Sequence, residues 1–558
     1  MKSSKKYKLV EPIVIIGGGA GGCGSARALA KAGYKKIVLL EASESLFSKT
    51  SIMTPGRSGH GFHYIDLPTG IMYQNATIDF NKEFPGFRIG EPGFPETHPL
   101  RRGRYFIVKK EKGNLFEKEE ILKTFEELHK NYRNSVSLDE KNKVVGEPDD
   151  FLRVLDKKEY ESKVNLELVD VGLETTEQLL DCPRFRKHLI NELKSNDSIK
   201  VLTKKRVGDI AYGSKTTFII TTADGLKYEA NTVINASWYN IGLLDRQLDL
   251  YDHKKVVTNR LKVIAKVKIP KGYENEHSMF FCMGAHCMFS NMGHGIGLMT
   301  YAKQTNLENF SDLAVGEKTK RLLNGGVTSE EIKTYGEEII KGVSQYIPWM
   351  KDAELITVNF GVVRTHGDVD IFDPKSAFHS RAYSGVEPRQ LGYFANACMK
   401  LLFLHQNGKI ITEELENHAR IVHLLKAKSK AIARKFGNKT SVQKLLFFYI
   451  SKQLLPEDLL SSPEQVSLRI KQFQNASKKA GKIFLQLLTA ELPIHILKII
   501  CQYYFTELHS GDKLESKVED KQSLLSMMSI VTIKKKEDMS QSQPSGQVVQ
   551  DNSRELVV

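Results

Sequence analysis

IVIIGGGAGGCGSARALAKAGYKKIVLLE, residues 13–41, is the stretch of sequence that decides the fold. It begins with a continuous apolar, β-branched run at 13–16, which is typical of a buried parallel strand. A glycine cluster follows at once, and the alanine-rich segment 20–32 then predicts a helix. A second apolar run at 37–40 completes the unit. Strand, glycine turn, helix and strand in this order within about thirty residues predict a βαβ unit.

The glycine cluster has the spacing G-x-G-x-x-G at Gly17, Gly19 and Gly22. In that pattern the first glycine permits a tight turn, the second lets the backbone approach a pyrophosphate, and the third lets the helix pack against the strand. Glu41, at the end of the second strand, stands where a carboxylate accepts hydrogen bonds from a ribose. The alternative is a glycine-rich turn without a ligand. The predicted dinucleotide contacts of this unit are Gly17, Gly19, Ala20, Gly21, Gly22 and Glu41.

Composition narrows the class of protein. The chain has 558 residues, 41% of them hydrophobic, and a formal charge of +15. That hydrophobic content is typical of a globular protein. Lysine and arginine are spread along the chain without a nucleic-acid-binding motif, so we expect no nucleic-acid partner. The six cysteines form no CxxC pair and no His/Cys cluster, which predicts reduced thiols and no metal site.

The N-terminus offers a second interpretation. MKSSKKYK followed by an apolar run is similar to a signal peptide, but cleavage there would cut through the βαβ unit. We therefore interpret the run as the first strand and expect a cytoplasmic protein.

These residues resemble the FAD-dependent oxidoreductases of the D-amino-acid oxidase/glycine oxidase superfamily. Besides the opening 13–43, TPGRSGHGFHY at 54–64 is similar to the family's second flavin-binding stretch, and VINASW at 233–238 to the motif that closes the FAD domain. The resemblance covers roughly 11–410. Ser237 departs from the family's usual glycine, and the C-terminal glycine-rich turn is reduced to QLGY at 390–393.

The resemblance implies an α/β fold in which a Rossmann-like FAD-binding domain of the GR2 type is interleaved with a mostly antiparallel substrate domain and followed by a helical region. The implied segments are FAD-binding at 8–110, 184–250 and 386–410, a helical insertion on the substrate side at 111–183, a substrate domain at 251–385, a helical accessory region at 411–510 and a disordered tail at 534–558.

The resemblance also implies FAD as the cofactor. Its further contacts are predicted at Arg57, Ser58, Gly59, His60, Gly61, Val207, Ala236, Ser237, Gly392 and Tyr393. The segment 392–405 is interpreted as a helix, and its first turn at Gly392 would face the flavin O2 unless it is an ordinary helix start. His60 and His63 either line the flavin pocket or attach FAD covalently.

The predicted reaction is the oxidation of a small amine or 2-hydroxy acid by hydride transfer to flavin N5. Arg364 is the first candidate for an arginine fork on a substrate carboxylate, and a surface ion pair with Asp368 or Asp370 is the alternative. His379 and Arg381 alternate with one intervening residue, so they would share one face of a strand. Arg364, His379 and Arg381 are therefore the predicted catalytic residues.

Two other functions remain open at this point. FAD could be structural, with the basic helical region 411–510 docking on a protein partner or peripherally on a membrane. A monooxygenase or reductase using NAD(P)H would need a second G-x-G-x-x-G unit, and the sequence contains none in a βαβ context. Cys282 and Cys287 lie in an apolar run and are predicted to be core residues rather than a redox pair.

Overall fold

A computed structural model of the protein describes residues 10–213, 217–377, 379–390, 392–416 and 419. Within these residues the strands are β1 (Ile13–Ile16), β2 (Ile37–Leu40), β3 (Gly103–Val108), β4 (Leu152–Val154), β5 (Val169–Thr175), β6 (Ile199–Leu202), β7 (Val207–Tyr212), β8 (Phe218–Thr222), β9 (Lys227–Ala230), β10 (Thr232–Asn235), β11 (Val257–Lys268), β12 (Ser278–Cys282), β13 (Cys287–Asn291), β14 (Ile296–Tyr301), β15 (Asn306–Ser311), β16 (Glu354–His366), β17 (Val386–Gln390) and β18 (Tyr393–Asn396). The helices are α1 (Ala20–Lys31), α2 (Leu67–Glu83), α3 (Lys118–Leu138), α4 (Cys182–Lys194), α5 (Ile241–Gln247), α6 (Ala302–Thr305), α7 (Glu317–Leu323), α8 (Ser329–Ser344) and α9 (403–416).

The first sheet has six strands in the order β17-β18-β10-β1-β2-β6. From β18 to β6 the neighbours are parallel, and β17 pairs antiparallel at the edge. Every residue of β1 and β10 is buried, as expected of a parallel sheet that is covered on both faces. The predicted Rossmann-like βαβ unit is therefore confirmed as β1-α1-β2.

Buried charge ties the helices on one face of this sheet together. Arg27 of α1 pairs with Glu83 of α2 at 2.6 Å and with Glu192 of α4 at 2.7 Å. Arg27 is itself buried, so each carboxylate offsets part of the cost of removing the guanidinium from water. These contacts fix α1, and with it the glycine turn at its start.

The second sheet has nine strands in the order β15-β11-β14-β13-β12-β3-β5-β4, with β16 also paired to β11. Its pairings are antiparallel except for β3 with β12. One face packs against α8 in a hydrophobic cluster that includes Val263, Ala265 and Ile339. The predicted mostly antiparallel second domain is thus confirmed. A separate sheet β7-β8-β9 flanks the first.

Two segment assignments need correction. β3 lies within the segment 8–110 predicted to bind FAD, but it pairs with β5 and β12 in the nine-stranded sheet. The predicted helical insertion 111–183 contains α3 but also β4 and β5, which extend that sheet. The chain passes between the two sheets more often than the sequence predicts. The apolar pattern of a short strand is the same in either sheet, so it does not indicate which sheet the strand joins.

The C-terminal segment also differs from its prediction. Residues 392–405 do not form one helix: Gly392 lies in the turn between β17 and β18, β18 follows, and α9 begins at 403. The apolar residues of β18 are buried on the parallel sheet beside β10, so an apolar run interpreted as a helix face is a strand. Of the accessory region 411–510, residues 411–416 and 419 are described, and the tail 534–558 lies outside the described residues.

Within the part of the chain that the structure describes, no helix is long and apolar enough to cross a bilayer. The same residues hold no group of three side chains suited to a metal ion. Cys282 and Cys287 are buried as free thiols, in agreement with the predicted core positions.

Candidate active site

A cavity of about 710 Å³ runs from the glycine turn at the start of α1 to the face of β11 in the nine-stranded sheet. The walls therefore come from both sheets. Gly17, Gly19 and Glu41 line one end, and Arg260 and Arg381 line the other. Its volume falls within the range of cavities that hold cofactors and small ligands.

The glycine turn is possible only without side chains at two positions. Gly17 has φ +103°, and a Cβ there would lie 2.4 Å from the Ala236 carbonyl oxygen. A Cβ on Gly22 would lie 1.8 Å from the Gly17 carbonyl oxygen. Gly22 therefore supports the turn from behind the cavity, while Gly17, Gly19, Ala20 and Gly21 line it.

Polar side chains surround the same turn. Glu41 accepts hydrogen bonds from the Gly18 amide and the Ser43 amide, both at 2.6 Å. The Ala20 amide donates to Ser51 Oγ at 3.0 Å. Glu41 thus stands at the cavity wall as predicted. Ser51 was missed, because a serine in a polar loop gives no sequence signal of such a contact.

The second predicted flavin-binding stretch brings one of its five candidate residues to the cavity. Arg57 lines the wall, whereas the other four lie outside it: Ser58, Gly59, His60 and Gly61. In the structure these four residues support the loop and do not form the cavity wall. The reason is the loop's path, which turns inward after Arg57 and brings the chain back to the wall at His63.

A buried carboxylate, Glu177, holds this loop. It accepts hydrogen bonds from the amides of Gly59 at 3.2 Å and His60 at 2.9 Å, and from the Tyr105 hydroxyl at 2.9 Å. Arg57 Nε lies 3.5 Å from Glu177 Oε1. Burial raises the pKa of the Glu177 carboxyl, but the charges of Arg57 and Lys400 and the hydrogen bond from the His60 amide together outweigh burial, and the pKa lies below its ordinary value.

The two early histidines have different positions. The His60 ring stacks on Phe151 with centroids 5.1 Å apart, and burial lowers its pKa to about 4. His63 lines the cavity, and burial lowers its pKa well below the ordinary value. His60 therefore lies in the core and not on the cavity wall, and His63 is the one of the two that reaches the cavity.

Three further predicted FAD contacts lie at the start of β7 and directly after β10. Val207, Ala236 and Ser237 all line the cavity, together with Arg206 and Trp238. The Trp238 indole donates to the Val362 carbonyl of β16 at 2.9 Å, which joins the two sheets beside the cavity. That these residues contact FAD stays a prediction.

Gly392 and Tyr393 do not line the cavity, so the structure does not bring them to the predicted FAD site. The Tyr393 hydroxyl is buried beneath the parallel sheet, where it donates to Asp245 at 2.9 Å and accepts from Asn235 at 2.9 Å. The loop after β18, residues 397–401, reaches the cavity instead and leads into α9. The turn that faces the cavity is therefore five or more residues later than predicted.

Arg364 is not a substrate ligand in this structure. Its guanidinium is bonded through both terminal nitrogens to Asp312, with Nη2 to Oδ2 at 2.7 Å, and it does not line the cavity. Both side chains are 3% exposed. The alternative prediction, a surface ion pair with Asp368 or Asp370, is also wrong about the partner. Asp312 is 52 residues from Arg364 in the chain, whereas Asp368 and Asp370 are its close neighbours in sequence.

His379 and Arg381 do line the cavity, but not as members of a strand. Residues 379–384 form an extended loop, held where the Arg381 amide donates to Thr69 Oγ1 at 2.7 Å. The His379 ring meets Phe116 edge-on, with centroids 5.5 Å apart. Burial lowers the pKa of His379, so its imidazole is neutral at pH 7.

Several basic residues on the cavity wall were not predicted from the sequence, and three of them have strongly lowered pKa values. Arg260 and Lys262 project from β11, and Lys400 from the loop before α9. Burial lowers the pKa of Arg260 to about 9, with a further contribution from Arg381. Burial likewise lowers the pKa of Lys262 and of Lys400 to about 7. The available signal was the alternation of β11, which does not distinguish a cavity face from a solvent face.

The residues at the glycine end fit a dinucleotide. The turn leaves no room for Cβ atoms and opens onto the cavity at Gly19 and Ala20. The helix that follows directs its dipole and backbone N–H groups toward the same point, which favours a pyrophosphate. The Ser48 hydroxyl also lines this end, buried and without a hydrogen-bond partner in the described chain.

Comparisons with known proteins bear on the same residues. The family model described as FAD dependent oxidoreductase (DAO) matches residues 12–301, more than half of the chain. No curated protein matches the chain.

Among solved structures, a modified fructosyl peptide oxidase from Aspergillus nidulans with seven additional mutations is 16% identical, with a TM-score of 0.51 over 74% of this chain and 91% of that one. A single-site variant of that enzyme is 18% identical, with a TM-score of 0.50 over 73% and 90%. Glycine oxidase from Geobacillus kaustophilus is 15% identical, with a TM-score of 0.49 over 73% and 94%. At these identities the first two show a shared fold. With the family model matched over the glycine turn and both sheets, the chain belongs to the family of FAD-dependent oxidoreductases of the D-amino-acid oxidase type, and FAD is its cofactor.

Proposed function

We propose that the protein oxidises a small amine or 2-hydroxy acid that carries a carboxylate. The observation that carries this proposal is the continuity of one cavity from the glycine turn to a wall bearing Arg260 and Arg381. A cofactor held at the first end and an acid held at the second would share the space between the two sheets.

FAD, when bound, supplies the acceptor for a hydride at flavin N5. The protein supplies binding and orientation. The turn at Gly17 to Gly21 would hold the pyrophosphate, and Glu41 a ribose. Arg260 and Arg381 would orient the substrate carboxylate, since a planar guanidinium matches a carboxylate in two hydrogen bonds. The apolar wall from Ile264 and Phe281 excludes water from the region between them.

The two substrate classes differ in whether a base must remove a proton from the substrate. A 2-hydroxy acid must lose its hydroxyl proton to a base, and neutral His379 on the cavity wall is the candidate. An amine needs only to be bound in its neutral form. A His379→Gln variant should therefore lose most of its turnover if the substrate is a hydroxy acid and little if it is an amine.

Anaerobic bleaching of the flavin absorbance is the direct test. Purified holoprotein is mixed with a panel of amines, amino acids and 2-hydroxy acids, and each compound is paired with its analogue lacking the carboxylate. We expect an acid to bleach the flavin while its uncharged analogue does not. An Arg381→Met variant should raise the concentration needed for half-maximal bleaching at least tenfold. Bleaching by uncharged analogues alone, or by no compound, contradicts the proposal.

The alternative of structural FAD with a partner-binding region depends on residues 411–510, which lie outside the described residues except for 411–416 and 419. No contact in the described part of the chain favours it over oxidation.

A further inference from the structure

The walls of the cavity carry a marked excess of positive charge. Among the described lining residues nine are lysine or arginine, and Glu41 is the one acidic side chain. Glu41 belongs to the glycine end, where it is held by two backbone amides. The end formed by β11 therefore has basic residues on its wall and no acidic one.

The two basic residues on the cavity face of β11 are far enough apart to contact two separate groups of a ligand. Arg260, Lys262 and Ile264 alternate along the strand and all line the cavity, while Leu261 and Val263 face the core. Side chains two residues apart on one face start about 7 Å from each other. Arg381 lines the same cavity, and its charge lowers the pKa of both Arg260 and Lys262.

The surroundings of Lys262 leave space for a ligand. Its register partner on β16 is Gly361, which has no side chain and also lines the cavity. On β15 its partner is Asn306, at an irregularity in the pairing. The side chain of Lys262 makes no hydrogen bond or ion pair with any other described residue, and the charges that act on it, from Arg260 and Arg381, are both repulsive.

Nearby acids are already engaged elsewhere. Glu177 lies against Arg57 at 3.5 Å and is taken up by the loop that it holds. Asp312 is bonded to Arg364 outside the cavity. Among the described residues, the charges that act on the Lys262 ammonium are therefore all of its own sign. Such an arrangement is costly for the folded protein and is characteristic of sites that bind anions.

We propose that the substrate carries two acidic groups: a carboxylate bound by Arg260 with Arg381, and a second carboxylate or a phosphate bound by Lys262. This inference rests on the proposed function and specifies its substrate class. An arginine fork suits the planar carboxylate, whereas the ammonium of Lys262 acts as a point charge and accepts either second group. A substrate with a single acidic group would neutralise one of these two positions and leave the other without a negative charge.

Calorimetric titration of the holoprotein with unreactive acids tests the proposal without requiring turnover. Butyrate has one acidic group, succinate has two on the same four-carbon chain, and 3-phosphonopropionate replaces one carboxylate by a phosphonate. We expect succinate or 3-phosphonopropionate to bind at least tenfold more tightly than butyrate, and the tighter of the two identifies the second group. Equal affinities for all three acids would overturn the inference, whatever the variants do.

A matched pair of variants locates the second position. In Lys262→Met the affinity for butyrate should stay within twofold of the parent, while the advantage of the dianion disappears. Lys266→Met is the control, because Lys266 is four residues further along the same face of β11 but does not line the cavity. A Lys262→Met variant that weakens all three acids equally, or keeps the dianion preference, contradicts the assignment.

The two proposals fail separately. If a dianion is preferred but no compound bleaches the flavin, oxidation of a small acid is wrong and the dianion site stands. If a compound with one acidic group bleaches the flavin and calorimetry shows no preference, the proposed function stands and the dianion inference is wrong.

Discussion

Removing Arg364 should damage stability and leave substrate binding intact. Arg364 and Asp312 are each 3% exposed, and two guanidinium–carboxylate hydrogen bonds join them. Asn259 Nδ2 donates a third bond to Asp312 at 3.2 Å. In Arg364→Met the Asp312 carboxylate stays buried, and the Asn259 amide is its remaining side-chain donor among the described residues. Breaking a buried pair from one side costs about 3–5 kcal/mol.

That cost can be converted into a melting temperature. With an unfolding entropy of about 2.1 cal/mol/K per residue over about 400 residues, a loss of about 4 kcal/mol lowers Tm by about 5 °C. Asp312→Leu should cost as much, because it strands the guanidinium. The double variant Arg364→Met/Asp312→Leu should recover most of the loss, since an apolar pair of similar volume is often as stable as a buried ion pair.

The assay is thermal unfolding of the three variants at one scan rate, with calorimetric titration of succinate on the same preparations. A large fall in Tm for each single variant, partial recovery in the double, and unchanged affinity for the acid are expected. If Arg364→Met melts like the parent but binds the acid at least tenfold more weakly, Arg364 contacts the substrate and the assignment of its role to Asp312 is refuted.

Two further variants test the loop behind the cavity. Glu177→Gln keeps the shape of the side chain but leaves the charge of Arg57 without its carboxylate, so it should cost about 3 kcal/mol of stability and also weaken FAD binding in an apoprotein titration. Glu174→Gln is the control, because Glu174 lies three residues earlier, on β5, in a separate cluster with Arg104 and Arg153, and this variant should lower stability alone. Unaltered FAD affinity in Glu177→Gln contradicts the role given to Glu177. His60 has a folded pKa of about 4 against about 6.5 unfolded, so the unfolded chain binds the extra proton between these values and the parent loses stability as the pH falls through that window. His60→Phe removes this loss, and its free energy of unfolding relative to the parent should improve by about 2 kcal/mol between pH 7.5 and pH 5 in urea titrations, with no change as the result that argues against it.

The first βαβ unit could be predicted almost completely from the sequence. Its signals are local: a β-branched run, glycines at fixed spacing, and an acid at the end of the next strand. Each of those residues acts on a neighbour within about thirty positions, which is the distance over which periodicity and turn chemistry are informative. Glu41 and Gly22 therefore lie where the pattern places them.

Features that depend on pairing between distant segments could not be predicted in this way. The sequence offers Asp368 and Asp370 as ion-pair partners of Arg364 because they are close in the chain, whereas its partner Asp312 comes from the loop after β15. The run after Gly392 has the composition of a helix face, but β10 offers an open parallel edge, and the chain pairs with it as β18. In both cases burial in the folded protein determines the result: the partner of Arg364 and the conformation of the segment after Gly392.

Lys262 shows why the substrate end of the site is the harder half to predict. On the sequence alone, a lysine in an alternating strand indicates a solvent face, because lysine is rarely buried without a partner. Here the other wall of the cavity comes from the glycine turn of another sheet, so the outward face of β11 is enclosed by residues more than two hundred positions away. The same enclosure limits the access of water to Arg260 and Lys262, which strengthens the interaction of their charges with the acid that we propose as substrate. The interleaving of the two sheets thus turns an ordinary polar strand face into the cavity wall that is proposed to bind the substrate.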